Sequence, residues 1–130
     1  GKIEVRQKEN GISDAGFDFI ANSIGNRSAS GATAAMGWIA VGTGNTAFAA
    51  AQTALVTELN RQAATYSHTT GTKVFSFSAS YAAGTATGAI TEAGVFNASS
   101  AGTMLDRVTF AVINKGSDDS LTQTFTFTMS

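Results

Sequence analysis

From Thr72 to Tyr81 apolar and small polar side chains alternate. Phe75, Phe77, Ala79 and Tyr81 fall on one side, and Val74, Ser76, Ser78 and Ser80 on the other. A β-strand turns successive side chains to opposite faces, so this alternation predicts a strand with an inside and an outside. The pattern is cleaner still from Leu121 to Met129. There Leu121, Gln123, Phe125, Phe127 and Met129 are separated by a threonine at every even position. Phe75, Phe77, Phe125 and Phe127 are therefore expected to share one core. Residues 62–70, 89–97 and 104–113 read as further strands between turn signals. The run Met36-Gly37-Trp38-Ile39-Ala40-Val41 is short and apolar throughout, as in a strand buried on both faces, which assigns Trp38 to the core as well. Residues 2–8 place Ile3 and Val5 on one side of a half-polar strand, and residues 1–10 fit either an arm reaching a neighbour or an edge strand.

Only one segment carries a clear helical period. Ser13-Asp14 offers an N-cap, Phe17, Ile20, Ala21 and Ile24 recur on one helix face, and Gly25-Asn26 supplies a stop. Residues 27–35 are small and polar and read as a loop. The Ala-rich stretch 46–59, with Leu55 and Leu59 at helical spacing, predicts a short helix or a turn. Roughly seven strands at the spacing of all-β folds, plus one N-terminal helix, give a mainly β chain. The expectation is a single β-sandwich domain over residues 1–130, jelly-roll-like or immunoglobulin-like.

Composition narrows the partners. Of 130 residues 43% are apolar and only 13% charged, below the usual charged share of about a quarter, so Ser, Thr, Ala, Asn and Gly must cover much of the surface. With a formal net charge of −1, copies of the chain repel one another weakly. Eight Lys and Arg are balanced by nine Asp and Glu and scattered along the chain, which argues against nucleic acid as a partner. No apolar run approaches the roughly 20 residues of a membrane span, and Gly1-Lys2-Ile3-Glu4 does not open a signal peptide. Cysteine is absent, which removes disulfides, thiolate nucleophiles and zinc–thiolate sites.

Candidate chemistry is sparse. His68, the only imidazole, sits beside Ser67, but strand neighbours point to opposite faces and no nucleophile-elbow sequence occurs. Gly42-Thr43-Gly44-Asn45 has the look of a phosphate loop, yet it lacks the Lys of a P-loop and the third glycine of a dinucleotide fingerprint, so a structural turn is the better reading. Asp118-Asp119 has no spaced third ligand for a cation and reads as a hairpin turn. Glu92 is more informative. It lies inside the strand-like Ile90–Phe96, where a carboxylate needs a cationic or hydrogen-bonding partner, and Arg61 and Arg107 are the candidates for a structural ion pair. Trp38, Tyr66 and Tyr81 lie on separate strands and read as packing rather than as a sugar platform. No catalytic residue, cofactor or metal ligand is expected.

A longer succession carries a resemblance. Trp38-Ile39-Ala40-Val41-Gly42-Thr43-Gly44-Asn45-Thr46-Ala47 is followed by Thr53-Ala54-Leu55 with Glu58 and Arg61. Next come Ile90-Thr91-Glu92-Ala93-Gly94-Val95-Phe96-Asn97-Ala98 and Gly102-Thr103-Met104-Leu105-Asp106-Arg107-Val108-Thr109-Phe110. Ile113-Asn114-Lys115 and the strand from Asp119 to Met129 complete it. In order and spacing this resembles the short, tail-fibre-like virion structural proteins of tailed bacteriophages, over roughly residues 12–129. Such proteins often carry proline after Gly-Thr-Gly, where this chain has Phe48. The resemblance implies a small β-rich module of the tail, fibre or head surface, located in the virion after synthesis in the host cytoplasm. It implies no enzyme activity and no cofactor, and partners that are copies of the chain or other phage capsid or tail proteins. A head decoration or cement protein and a tail or fibre component both fit. The alternative is a carbohydrate- or receptor-binding module gripping a host surface glycan through exposed aromatic side chains.

Overall fold

Two four-stranded sheets pack face to face in the computed structural model, which describes residues 5–6, 11–26 and 33–129. The elements run β1 (Val5–Arg6), α1 (Asp14–Gly25), β2 (Trp38–Gly42), β3 (Glu58–Ala63), β4 (Thr65–His68), β5 (Val74–Tyr81), β6 (Gly88–Phe96), β7 (Met104–Lys115) and β8 (Leu121–Thr128). One sheet has the order β1-β8-β5-β4 and the other β3-β2-β6-β7. All pairings are antiparallel except the short β1 beside β8, where Val5 lies opposite Phe125. The chain is a mainly β sandwich with one N-terminal helix. Of residues 1–10 only Val5–Arg6 is described, and it is an edge strand; residues 27–32 of the expected loop also lie outside the described residues.

The first sheet follows its sequence pattern. Phe77 pairs with Phe125, Phe75 with Phe127 and Tyr81 with Leu121, all facing inward. Phe77, Phe125 and Phe127 are buried, while Phe75 is half-buried against the same cluster and stacks on Phe127 at 4.9 Å between ring centroids. On the outer face Ser78 and Thr124 meet through their hydroxyls at 3.1 Å. Tyr81 reaches across the sandwich and donates its hydroxyl to the Ile39 carbonyl of β2.

The central strands of the second sheet, β2 and β6, are buried on both faces. Ile39, Val41, Ala93 and Val95 point into the sandwich, and Ala40, Phe96 and Met104 point outward into a second cluster that Leu55 covers. Trp38 belongs to this outer layer, where it is half-buried; it does not join the phenylalanines as expected, because its register partner Phe96 faces outward. The expected single strand over 62–70 is two. β3 pairs with β2, β4 pairs with β5, and Ala64 is the one-residue passage between sheets, its amide donating to the Gly37 carbonyl at 2.8 Å. Segment 46–59 forms no helix; apart from the first residues of β3 it is irregular chain.

Helix α1 starts at its expected cap, with Ser13 Oγ accepting from the Gly16 amide at 3.0 Å. Its orientation departs from expectation. Phe17 is 54% and Ile24 80% exposed, whereas Gly16 is buried and Ile20 packs on the core. The cause is the docking point: a Cβ at Gly16 would overlap the Leu105 carbonyl oxygen, so only glycine lets the helix come this close to β7. Gly16→Ala should remove about 0.5–1 kcal/mol of helix entropy penalty. The backbone clash outweighs that gain, at about 1–3 kcal/mol for overpacking. Urea denaturation should show a net loss of stability.

Candidate functional site

Around Glu92 the chain has built an anion cradle and filled it itself. Glu92 stands on the outer face of β6 and is fully buried. Its Oε2 accepts from the Gly44 amide at 2.9 Å and the Thr57 amide at 2.7 Å, and its Oε1 from the Val56 amide at 2.9 Å and Arg107 Nε at 2.9 Å. Arg107, also fully buried, sends Nη1 to Gln52 Oε1 at 3.2 Å and Nη2 to the Thr46 carbonyl at 2.9 Å. Apart from the bond that joins the two side chains, the pair's hydrogen bonds all grip residues 44–57. That segment is closed at its base by the Thr43 amide donating to the Thr57 carbonyl at 2.9 Å, the geometry of an Ω-loop.

The glycines of Gly42-Thr43-Gly44 owe their place to this carboxylate and, at Gly42, also to the Thr57 carbonyl oxygen, which a Cβ would overlap. A Cβ on Gly42 or Gly44 would stand 2.6 or 2.5 Å from Glu92 Oε2. The likeness to a phosphate loop therefore has a physical basis, since converging amides favour a negative charge. Here the anion is internal, and the cradle holds a loop instead of a ligand. The loop's Ala-rich sequence stays non-helical because three of its amides and one carbonyl are already taken by Glu92 and Arg107.

Of the two arginines expected beside Glu92, the structure brings in Arg107 alone. Arg61 is engaged elsewhere: it forms a two-pronged pair with Glu58 at 2.7 and 2.9 Å and donates to the Ala98 and Ala101 carbonyls at 2.9 Å each. Its guanidinium also lies 3.8 Å above the Phe96 ring. It fixes the turn after β6, and its register on β3 puts it beyond the Glu92 cradle.

The other candidates are dispersed. His68 is exposed on the edge strand β4, and its Nδ1 lies 2.8 Å from the Val74 carbonyl, which can only accept, so Nδ1 carries the proton. Ser67 points to the opposite face. Asp119 closes the turn after β7, accepting from the Gly116 amide at 2.8 Å. Among the described residues no three His, Cys, Asp or Glu side chains are grouped to hold a metal. Trp38 lies on the outer layer, Tyr81 is fully buried, and Tyr66 packs beside Phe75 and Phe77, so these three rings share no platform.

Two features were not legible in the sequence. One is an apolar groove of about 530 Å³ between α1 and the first sheet, lined by Ile20, Met36, Tyr66, Phe75 and Leu105 among others. The other is Asp106. Its carboxyl is fully buried on the inner face of β7 without a hydrogen-bond partner, as is the side-chain amide of Gln123 on β8. Burial pushes the Asp106 carboxyl up to about 9, the neighbouring Arg107 backbone amide lowering it by less. No helix among the described residues is long and apolar enough to cross a membrane. Comparison with protein-family models, with curated proteins and with solved structures finds no match to this chain.

Proposed function

We propose that the chain is a non-enzymatic structural component of a tailed-phage virion, a β-sandwich module on the particle surface that acts by self-association and packing. Within that reading a head decoration or cement protein and a tail or fibre component are both accommodated. The observation that carries it is the outward face of α1. Phe17 and Ile24, two turns apart on one side of the helix, are 54% and 80% exposed. Single exposed apolar residues are ordinary. A pair on one helix side, in a chain only 13% charged, is a surface suited to being covered. The resemblance over residues 12–129 to virion proteins supplies the setting. Glu92 and Arg107 fit it too, because their bonds fix a surface loop and leave neither side chain of the pair free for chemistry.

Sedimentation velocity at rising concentration, with binding to phage heads and tails, tests the proposal. The expected outcome is self-association or particle binding that the double variant Phe17→Ser/Ile24→Ser weakens. Both sites are exposed, so each substitution should leave stability within about 0.5 kcal/mol. A wild-type chain that stays monomeric at high concentration and binds neither heads nor tails would sink this reading.

A further inference from the structure

Asp106 occupies an unusual row. Across the inner face of the second sheet Ile39 pairs with Val95, Val95 with Asp106, and Asp106 with Ile12, which joins the edge of β7 just before α1. Paired residues share a face, so a carboxyl stands between aliphatic side chains, fully buried and without a hydrogen-bond partner. The open edge of β7 at this point is covered by the start of α1 through few bonds. The Ser13 amide donates to the Leu105 carbonyl at 3.1 Å and Ser13 Oγ to the Met104 carbonyl at 2.7 Å. Ile12 and Leu105 also line the apolar groove.

We propose that α1 is held by a latch set by the charge of Asp106: the neutral carboxyl lets residues 12–16 seat on β7, and the ionised carboxylate lifts them and opens the groove. An ionised group here must reach water. Its routes are unequal. The β6–β7 ladder and the opposing sheet close two sides, whereas residues 12–16 are held by the bridge at Ile12, the two Ser13 bonds, and an Asp14 amide that donates to the Ala50 carbonyl at 2.9 Å.

No described side chain offers the carboxylate a counter-charge. On β6 the one ionisable group is Glu92, and on β7 Arg107 pairs with it on the opposite face. Lys115, at the far end of β7, gives its Nζ to the Ala82 and Asp119 carbonyls. Across the sandwich β8 has no ionisable side chain and β5 only Tyr81, whose hydroxyl is donated to Ile39. α1 brings Asp14 and Asp18, both exposed and neither a cation.

The sign follows from the raised folded value, about 9, against an ordinary carboxyl at 3.8. In the unfolded chain the group ionises near its ordinary value. The stability gained by keeping the proton is complete below that value and is lost as pH rises through the folded one. The latch is therefore closed in acid and at neutrality and opens in alkali. It stands whether or not the groove and helix serve particle assembly.

Hydrogen-exchange protection of the whole chain, corrected for intrinsic rates, at pH 6.5 and 9.5, tests this together with the fluorescence of an apolar dye. In the wild type, amides of α1 should lose at least about tenfold more protection than those of β5 and β8, and dye fluorescence should rise. Asp106→Asn should abolish both changes, and Asp106→Leu, which also removes the charge, should do the same. Equal loss in α1 and in β5 and β8 would overturn the latch, as would no change in the wild type or an unchanged response in either folded variant.

Discussion

Glu92→Gln should destabilise the chain by about 3–5 kcal/mol, the scale for removing one partner of a buried ion pair. Against the roughly 5–15 kcal/mol of a typical domain this is a large share. Gln keeps the shape but presents an amide nitrogen either to the two backbone amides that Oε2 accepts or to the one backbone amide and the guanidinium that Oε1 accepts. The neighbouring Arg107, fully buried, then lacks its counter-charge. A buried pair can often be replaced by apolar residues at little loss. That rescue should fail here. In Glu92→Met/Arg107→Leu the Gly44, Val56 and Thr57 amides would have no acceptor, at about 1–3 kcal/mol each. Denaturant melts measure the total. Limited proteolysis by thermolysin locates it, because cleavage within residues 44–57 should precede cleavage elsewhere in both variants. Equal stability of the double variant and the wild type would show that the loop holds without its carboxylate.

Phe125→Ala is the second large effect, again about 3–5 kcal/mol. Phe125 is fully buried, faces Phe77 across the β5–β8 ladder and lies 6.3 Å from the Phe127 ring. Truncating it leaves a cavity between sheets whose backbones cannot close up. Two controls on the same sheet separate burial from residue type. Phe75→Ala, half-buried at the groove, should lose less, and Thr124→Ala on the outer face should change stability by under about 1 kcal/mol. A loss under about 1 kcal/mol at Phe125 would mean that the inward face of β8 is wrongly assigned.

The Glu92 cradle changes what the glycine-rich stretch after β2 means. Glycines next to converging amides invite a phosphate, and here that geometry exists. What the stretch alone lacks is the anion, which arrives from a residue 48 positions further on. Arg61 illustrates the converse. By sequence it is as plausible a partner for Glu92 as Arg107, but Glu58, three residues earlier on the same strand, and the Phe96 ring take it first.

Strand identity in the C-terminal half was determined by the sequence itself, because alternation between Phe and Ser or Thr is a local property that the backbone converts directly into two faces. The cap of α1, the β-sandwich and the need of Glu92 for a cation were readable for the same reason: each rests on neighbours in the chain. Tertiary structure alone decided which face of α1 is covered, since a contact between Gly16 and the Leu105 carbonyl outweighs the apolar stripe of Phe17 and Ile24. It also decided that Arg107 completes the cradle, that Trp38 faces outward, and that Asp106 is sealed without a partner. These depend on which residues distant in sequence come within bonding distance. No local periodicity encodes that, because it is set by how two sheets and a helix stack.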